Sequence, residues 1–446
     1  MKGTLAIAFI AILCLSMFSA LALKVNAQQS SGNWSMFRAD PSHDGVGTGN
    51  PVLTPTLLWK YTTGGNVESS PAVVNGVVYV GSDDGNVYAL DAATGDKLWS
   101  YPTGGGASSP AVVNGVVYVG SGNANVYALN ATNGIQLWNY TTHTGYGDSG
   151  ITSSPAVVGG VVYIGAADLN VYALNATNGD KLWSYFAGSS TLGVLSSPAV
   201  INGVVYVGSD DGNVYALDAA TGDKLWNYTT GASIQKSSPA VVNGVVYVGS
   251  DDGNVYALDA ATGDKLWSYP TGGKVETSPA VENGVVYIGS VDNYVFGLNA
   301  TNGDKLWSYP TGGDVFSSPA IVSNVVYVGS WDGNVYAFNA TNGDKLWNYT
   351  VNNTPGHFIY SSPAAVNGVI YIGSDDHNVY ALGTSPASSP LLSSSNIVFI
   401  IAGVIAVVII IAALVFLVFQ KRLKTKNQQT TLQNSASVFS IQLSQG

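Results

Sequence analysis

The stretch Gly81–Trp99, GSDDGNVYALDAATGDKLW, decides the fold, because it recurs letter for letter at Gly208–Trp226 and Gly249–Trp267. Looser copies end at Trp138, Trp183, Trp307 and Trp347. A unit repeated every roughly 40 residues predicts a propeller or a stacked array. Within one period, Ser70–Val74 and Val77–Gly81 are β-branched runs separated by Asn75-Gly76, the signature of a type I′ hairpin. Asp83–Asn86 reads as the next turn, Val87–Leu90 as a third strand, Ala92–Gly95 as a third turn and Lys97–Tyr101 as a fourth strand. Four antiparallel strands per unit make a propeller blade, and no helical period intervenes.

The count is eight. Ser-Pro-Ala opens a unit at Pro71, Pro110, Pro155, Pro198, Pro239, Pro279, Pro319 and Pro363. Proline suits the start of an innermost strand, whose free edge faces the central channel. Eight tryptophans follow leucine, at Trp59, Trp99, Trp138, Trp183, Trp226, Trp267, Trp307 and Trp347, and are expected to dock blade against blade. They are out of phase with the prolines: Trp59 precedes the first Ser-Pro-Ala, and the last unit stops at Leu382 with no tryptophan strand. The expectation is an all-β, eight-bladed β-propeller over 57–382, closed by the N-terminal strand Leu57–Tyr61.

The two ends read differently. Residues 1–27 have the form of a secretory signal peptide and 28–56 lead into the ring. Residues 383–396 form a Ser/Pro-rich stalk, and 397–419 are 23 apolar residues without a charge, a C-terminal transmembrane helix. The tail 420–446 opens with Lys421, Arg422, Lys424 and Lys426, which the positive-inside rule places in the cytoplasm. The localisation expected is the cell membrane, single-pass, with the propeller outside. The sole cysteine, Cys14, lies in the signal, which excludes a disulfide, a thiolate metal site or a thiol nucleophile from the ring. Outside the signal and tail, 27 acidic residues stand against 10 basic ones, so a nucleic-acid partner does not fit.

The pattern Ala89-x-Asp91-x-x-Thr94-Gly95-x-x-x-Trp99 resembles the tryptophan-docking motif of the pyrroloquinoline-quinone (PQQ) repeat propellers. Asparagine replaces the aspartate at Asn130, Asn175, Asn299 and Asn339, and Trp34–Gly45 is similar to the opening of that superfamily. The resemblance implies one of two branches. The catalytic branch, the quinoprotein dehydrogenases, carries a vicinal disulfide and insertions that build a calcium and quinone pocket, neither of which is seen here. The other branch, which includes the lipoprotein of the outer-membrane β-barrel assembly machinery, binds partners. The chain is similar to the latter in size and simplicity, so no catalytic, cofactor or metal residue is assigned. Three functions remain: an exterior binding or scaffold module, a redox protein using PQQ with Ca²⁺, and a structural envelope glycoprotein.

Two sets of residues carry these readings. The blade-to-blade loops vary at Thr142–Thr152, Phe186–Leu195 and Val351–Tyr360, and insertions on one face of a repeat protein commonly bind. They put His143, Tyr146, Asp148, His357, Phe358 and Tyr360 on a candidate ligand face for a protein or glycan, joined by Trp331 and His377 in turns on the same side. The second set is the Asn-x-Ser/Thr sequons at Asn33, Asn130, Asn139, Asn175, Asn227, Asn299, Asn339, Asn348 and Asn352, candidate N-glycan acceptors.

Overall fold

In the computed structural model, residues 32–142, 150–188, 193–351, 356, 358–384, 416–418 and 420–432 are described. The chain divides into a unit over Met1–Ser385 and a second over Pro386–Gly446. The first holds eight four-stranded antiparallel sheets. In the second, residues 416–418 and 420–432 are helical. No helix among the described residues is long and apolar enough to cross a membrane. The stretch 397–415 and residue 419, like the signal 1–27, lie outside the described residues.

Blade 1 is Ala72–Val74, Val77–Gly81, Asn86–Asp91 and Lys97–Pro102, and the next six repeat it. Its first turn has Asn75 at φ 51° and Gly76 at φ 78°, the positive pair a type I′ turn needs. Blade 8 is closed from the other end of the ring: Thr56–Thr62 pairs with Asn378–Gly383, setting Trp59 opposite Ala381. Every fourth strand carries a bulge before its tryptophan, so that Leu98 has no partner between Lys97 and Trp99 and Leu58 has none between Leu57 and Trp59.

The core is a set of layers between blades. Trp267, Tyr247, Val255 and Ala257 of blade 5 pack on Val286, Ile288, Phe296 and Leu298 of blade 6. The closing layer is built the same way, from Trp59, Tyr371, Val379 and Ala381 against Val78, Val80, Tyr88 and Leu90. In each, the indole Nε1 donates to a carbonyl of the following blade: Trp99 to Ala131, Trp226 to Ala260 and Trp267 to Ala300, at 2.9–3.0 Å. The second-strand tyrosine donates to the same carbonyl, as Tyr79 does to Ala131 at 3.2 Å. The final blade lacks that turn, and Trp347 donates instead to Val52 at 2.8 Å.

Two serines per blade line the channel. In blade 1 the Ser69 Oγ accepts from the Gly81 N–H at 3.0 Å, and the same bond recurs in all eight blades with threonine once, at Thr277. The next serine links blades, with the Ser70 N–H donating to Ser109 Oγ and the Ser362 N–H to Ser70 Oγ, and the same bond joins blades 3 to 8 in turn.

One end of the channel is plugged by Trp34–Gly47. This segment accepts N–H donors from the inner strands of six blades, at Val73, Val112, Val200, Val241, Val281 and Ile321, with distances of 2.7–2.9 Å. Its curl needs positive φ at Arg38 (61°), Ala39 (76°) and His43 (60°). Arg38, 1 % exposed, reaches the axis and donates to the carbonyls of Pro279 and Pro319. The leading segment is therefore part of the ring rather than a free approach to it. Burial lowers the Arg38 pKa to about 9 and, with Arg38 beside it, lowers His43 to about 3. Burial and then Asp40 raise Asp44 to about 6. The plugged end, with the Asn-Gly and Asp/Asn-Ala turns, is the closed face; the blade-to-blade loops make the open face.

Two measurements check this architecture. In Gly263→Ala the new Cβ meets the Trp226 ring at 2.7 Å, whereas in Gly244→Ala, at the same φ of 78°, it meets nothing within 4 Å. Both bear the left-handed strain of about 1–2 kcal/mol. Gly263→Ala loses a further ~1–3 kcal/mol in denaturant unfolding, because the indole seat is overfilled. The second concerns Asp44, whose carboxyl ionises at 3.8 when unfolded and about 6 when folded. It stabilises the fold below pH 3.8, and that contribution is lost as pH rises through about 6. The unfolding midpoint of Asp44→Asn therefore gains on the parent's across this window.

Candidate functional site

The open face is built from two rings of positions that the blades themselves do not use. One is the residue before each Ser-Ser-Pro (or Thr-Ser-Pro), which gives Glu68, Lys236, Glu276, Phe316 and Tyr360 in blades 1, 5, 6, 7 and 8. The other is the first residue after the serine of the second turn, which is aspartate in blade 1 (Asp83), tryptophan in blade 7 (Trp331) and aspartate in blade 8 (Asp375). Because the blades converge on the axis, these side chains meet across the mouth.

The aspartate that follows is structural. Asp84 Oδ2 accepts from the Tyr88 hydroxyl at 2.6 Å and from the Gly64 N–H at 2.7 Å, joining its blade to the preceding strand. Asp252 does the same with Tyr256 and Gly231. These bonds hold both carboxyls below their usual range against burial, which acts the other way. Among the described residues no group of three or more His, Cys, Asp or Glu could hold a metal ion.

Trp331, Phe358 and Tyr360 come together, with Phe316 as a fourth member. Trp331 is stacked between Phe316, at 4.4 Å between centroids, and Phe358, at 4.5 Å. Tyr360 stands edge-on to Trp331 at 5.1 Å and lies 5.4 Å from Phe316. The Trp331 Nε1 is buried without a hydrogen-bond partner. Lys236 Nζ lies over the Tyr360 and Phe316 rings at 5.0 and 5.4 Å, and 3.9 Å from Glu276. Lys274 bridges Asp251 at 2.8 Å and approaches Glu276 at 3.9 Å.

The charge of the mouth is predominantly negative. Burial, then Asp83, raises the Glu68 pKa, and burial raises Glu276. Tyr360 is pushed up to about 12 by burial and by Glu68, Asp375, Glu276 and Asp314. PQQ is a tricarboxylate that needs cationic partners and a free stacking face. The described residues do not fit it: Trp331 has both faces covered, and carboxylates surround Tyr360.

Other sequence-selected residues stand elsewhere. His377 is exposed beside Asp83, away from the aromatic stack, and its carbonyl accepts from Thr63 at 2.8 Å. His143, Tyr146, Asp148, His357 and Asn352 lie outside the described residues. Asn130, Asn175, Asn299 and Asn339 are on the closed face, each accepting the N–H of the threonine two residues on at 2.8–2.9 Å. Asn139, Asn227 and Asn348 are exposed on fourth strands, and Asn33 is exposed at the plug. Sequence reading missed Lys236, Phe316, Glu68 and Glu276. Their signal was the column before Ser-Ser-Pro, where the repeat changes chemistry.

The stack itself is testable. Trp331→Phe loses no hydrogen bond and keeps three rings in line, so unfolding shifts by under about 1.5 kcal/mol. Trp331→Ala leaves a gap between Phe316 and Phe358 and costs about 3–5 kcal/mol in the same assay.

The family profile described as the β-propeller of beta-alanine-activating enzyme matches residues 193–443, more than half of the chain. That of outer membrane protein assembly factor BamB matches 54–145 and 102–238. No curated protein matches in sequence. BamB from Moraxella catarrhalis superposes with a TM-score of 0.63 at 19% identity, covering 75% of this chain and 98% of that one. The computationally designed Ika8 protein gives 0.63 at 20%, covering 72% and 97%. Quinohemoprotein alcohol dehydrogenase from Comamonas testosteroni gives 0.66 at 17%, covering 79% and 80%. At these identities the structures share the fold alone. With the repeat, the eight blades and the matched profiles together, the chain belongs to the PQQ-repeat β-propellers, in the family described by the propeller of beta-alanine-activating enzyme.

Proposed function

We propose that the protein is a membrane-anchored, exterior-facing binding or scaffold module whose open face takes a partner. The observation that carries this reading is the Phe316–Trp331–Phe358–Tyr360 cluster. Among the described residues blades 1 to 6 have no such cluster, so ring closure does not require it. Half-buried aromatic residues at a concave mouth are the anchors that interfaces use. The closed face carries the plug, and the cavity beside it, lined by Asp40, Ser42, Val158, Asn202 and Asp218, has no comparable aromatic cluster among the described residues.

The remainder of the reading rests on sequence. The signal 1–27, the apolar 397–419 and the basic residues after it support a single span with the ring outside. The chain leaves the ring at Gly383, at the closed end of blade 8. The sequon asparagines of the third turns lie on the closed face too, where glycans leave the mouth clear. The redox alternative is disfavoured by the anionic mouth, which opposes binding of an anionic quinone.

Photo-cross-linking on whole cells tests the reading. A photoreactive residue in place of Phe358 yields a discrete adduct, whereas one in place of Leu225, on the outer rim, does not. Equal adducts from both positions, or none from Phe358, overturn it. Spectral change and dye reduction on titrating the full chain with PQQ and Ca²⁺ would favour the redox alternative.

A further inference from the structure

The mouth already holds a cation. Lys236 Nζ lies 5.0 Å from the Tyr360 centroid and 5.4 Å from that of Phe316, within the range in which a ring face attracts an ammonium. It comes from blade 5 and reaches across to blades 7 and 8, on a loop with one more residue before its Ser-Ser-Pro than the loops into blades 6 and 7. Its hold is loose. The side chain is 50 % exposed and its nearest carboxylate, Glu276, is 3.9 Å away, well beyond a charge-assisted hydrogen bond of about 2.7–2.9 Å. The lysine is therefore an exchangeable occupant.

We propose that this mouth is an aromatic–carboxylate pocket for an organic ammonium group, with Lys236 as a built-in occupant that an incoming ammonium displaces. The inference rests on the open face being the binding face and names the chemistry it selects. Tyr360 and Phe316 supply the ring faces. Glu276, Glu68 and Asp375 supply the negative field around Tyr360. Trp331 does not bind directly; with both faces covered it positions Phe316, which also removes it as a platform for a sugar ring. An anionic ligand would meet the same carboxylates as repulsion. The ammonium can come from a lysine side chain of a partner protein or from a free polyamine.

An occupied site binds with its intrinsic affinity reduced by the fraction of time it stands open. Removing the Lys236 charge while keeping its stem therefore strengthens binding. In calorimetric titrations of the full-length chain, Lys236→Met should bind 1,5-diaminopentane about tenfold tighter than the parent does. Adding Phe316→Leu and Tyr360→Leu should abolish the gain while Asp83→Asn leaves most of it. A lysine-containing hexapeptide and spermidine, run side by side, identify the source by which binds tighter. No gain in Lys236→Met overturns the proposal, and so does a gain that survives loss of both rings, because the amine is then held by the acidic rim alone. Binding of maltotriose in place of the amine also overturns it, yet leaves the open face as the binding face. Failure of the Phe358 adduct removes that broader reading instead, so the two fail separately.

Discussion

The structure depends on one contact made seven times between blades, an indole seated on the next blade with its N–H donated to a backbone carbonyl there, and once more against the leading segment. A four-stranded sheet exposes two apolar faces and cannot bury either alone. The tryptophan solves this at the blade's outer end by lying against the glycine of the following third turn, where a Cβ would intrude at 2.6–2.8 Å. The tyrosine of the second strand takes the carbonyl's other lone pair, so one acceptor binds two strands of its neighbour to the ring. This arrangement is directional: each blade needs a successor. The last complete blade has none of the usual kind, and Val52 supplies the carbonyl in place of an alanine. The opening of the chain thus provides both the outer strand of blade 8 and the seat for Trp347.

A closed ring of this size still has an inner edge. Eight short strands present N–H groups to the channel, and unpaired backbone groups there are unfavourable unless something binds them. The plug binds six of them with a single irregular segment. An eightfold ring cannot be matched by one peptide in regular conformation, which is why Arg38, Ala39 and His43 sit at positive φ. Arg38 then does by side chain what no backbone can do at the axis, donating to proline carbonyls from two blades at once. A guanidinium is suited to this, since its donors are fixed in a plane and its charge resists loss on burial.

The ring was legible in the sequence because its information is local. The Asn75-Gly76 turn, the β-branched run Val77–Gly81 and the missing tryptophan after Leu382 are all features of a few adjacent residues, and each has one geometrical reading. The out-of-phase Trp59 was enough to predict closure. The plug was not legible, because Trp34–Gly47 has no period and its partners belong to six separate units. The aromatic cluster was legible in half. Trp331, Phe358 and Tyr360 broke the repeat within their own segments, but Lys236 and Phe316 matter only because the axis gathers blades 5, 7 and 8. Repeat reading compares a residue with its counterparts in other units. It does not report which counterparts face each other across a channel.

That same geometry separates what the fold demands from what it leaves open. The glycine ending each second strand touches the neighbouring blade's incoming loop, and in six blades the aspartate of the second turn is bonded to a tyrosine, so neither changes there without loss. In blades 1 and 5 to 8 the column before Ser-Ser-Pro bears none of these duties, since the glycine there meets a residue ahead of it. It holds glutamate, lysine, phenylalanine and tyrosine in different blades, and every ring contact survives the variation. Chemistry concentrated where the fold is indifferent to it needs a cause outside the fold. In blades 7 and 8 that column and the adjoining turns assemble into aromatic rings, two of which face a shared cation, a more specific arrangement than solubility requires. A surface under no constraint but solubility would carry scattered polar residues. One that stacks three rings beside an anionic rim is what the proposed binding role calls for.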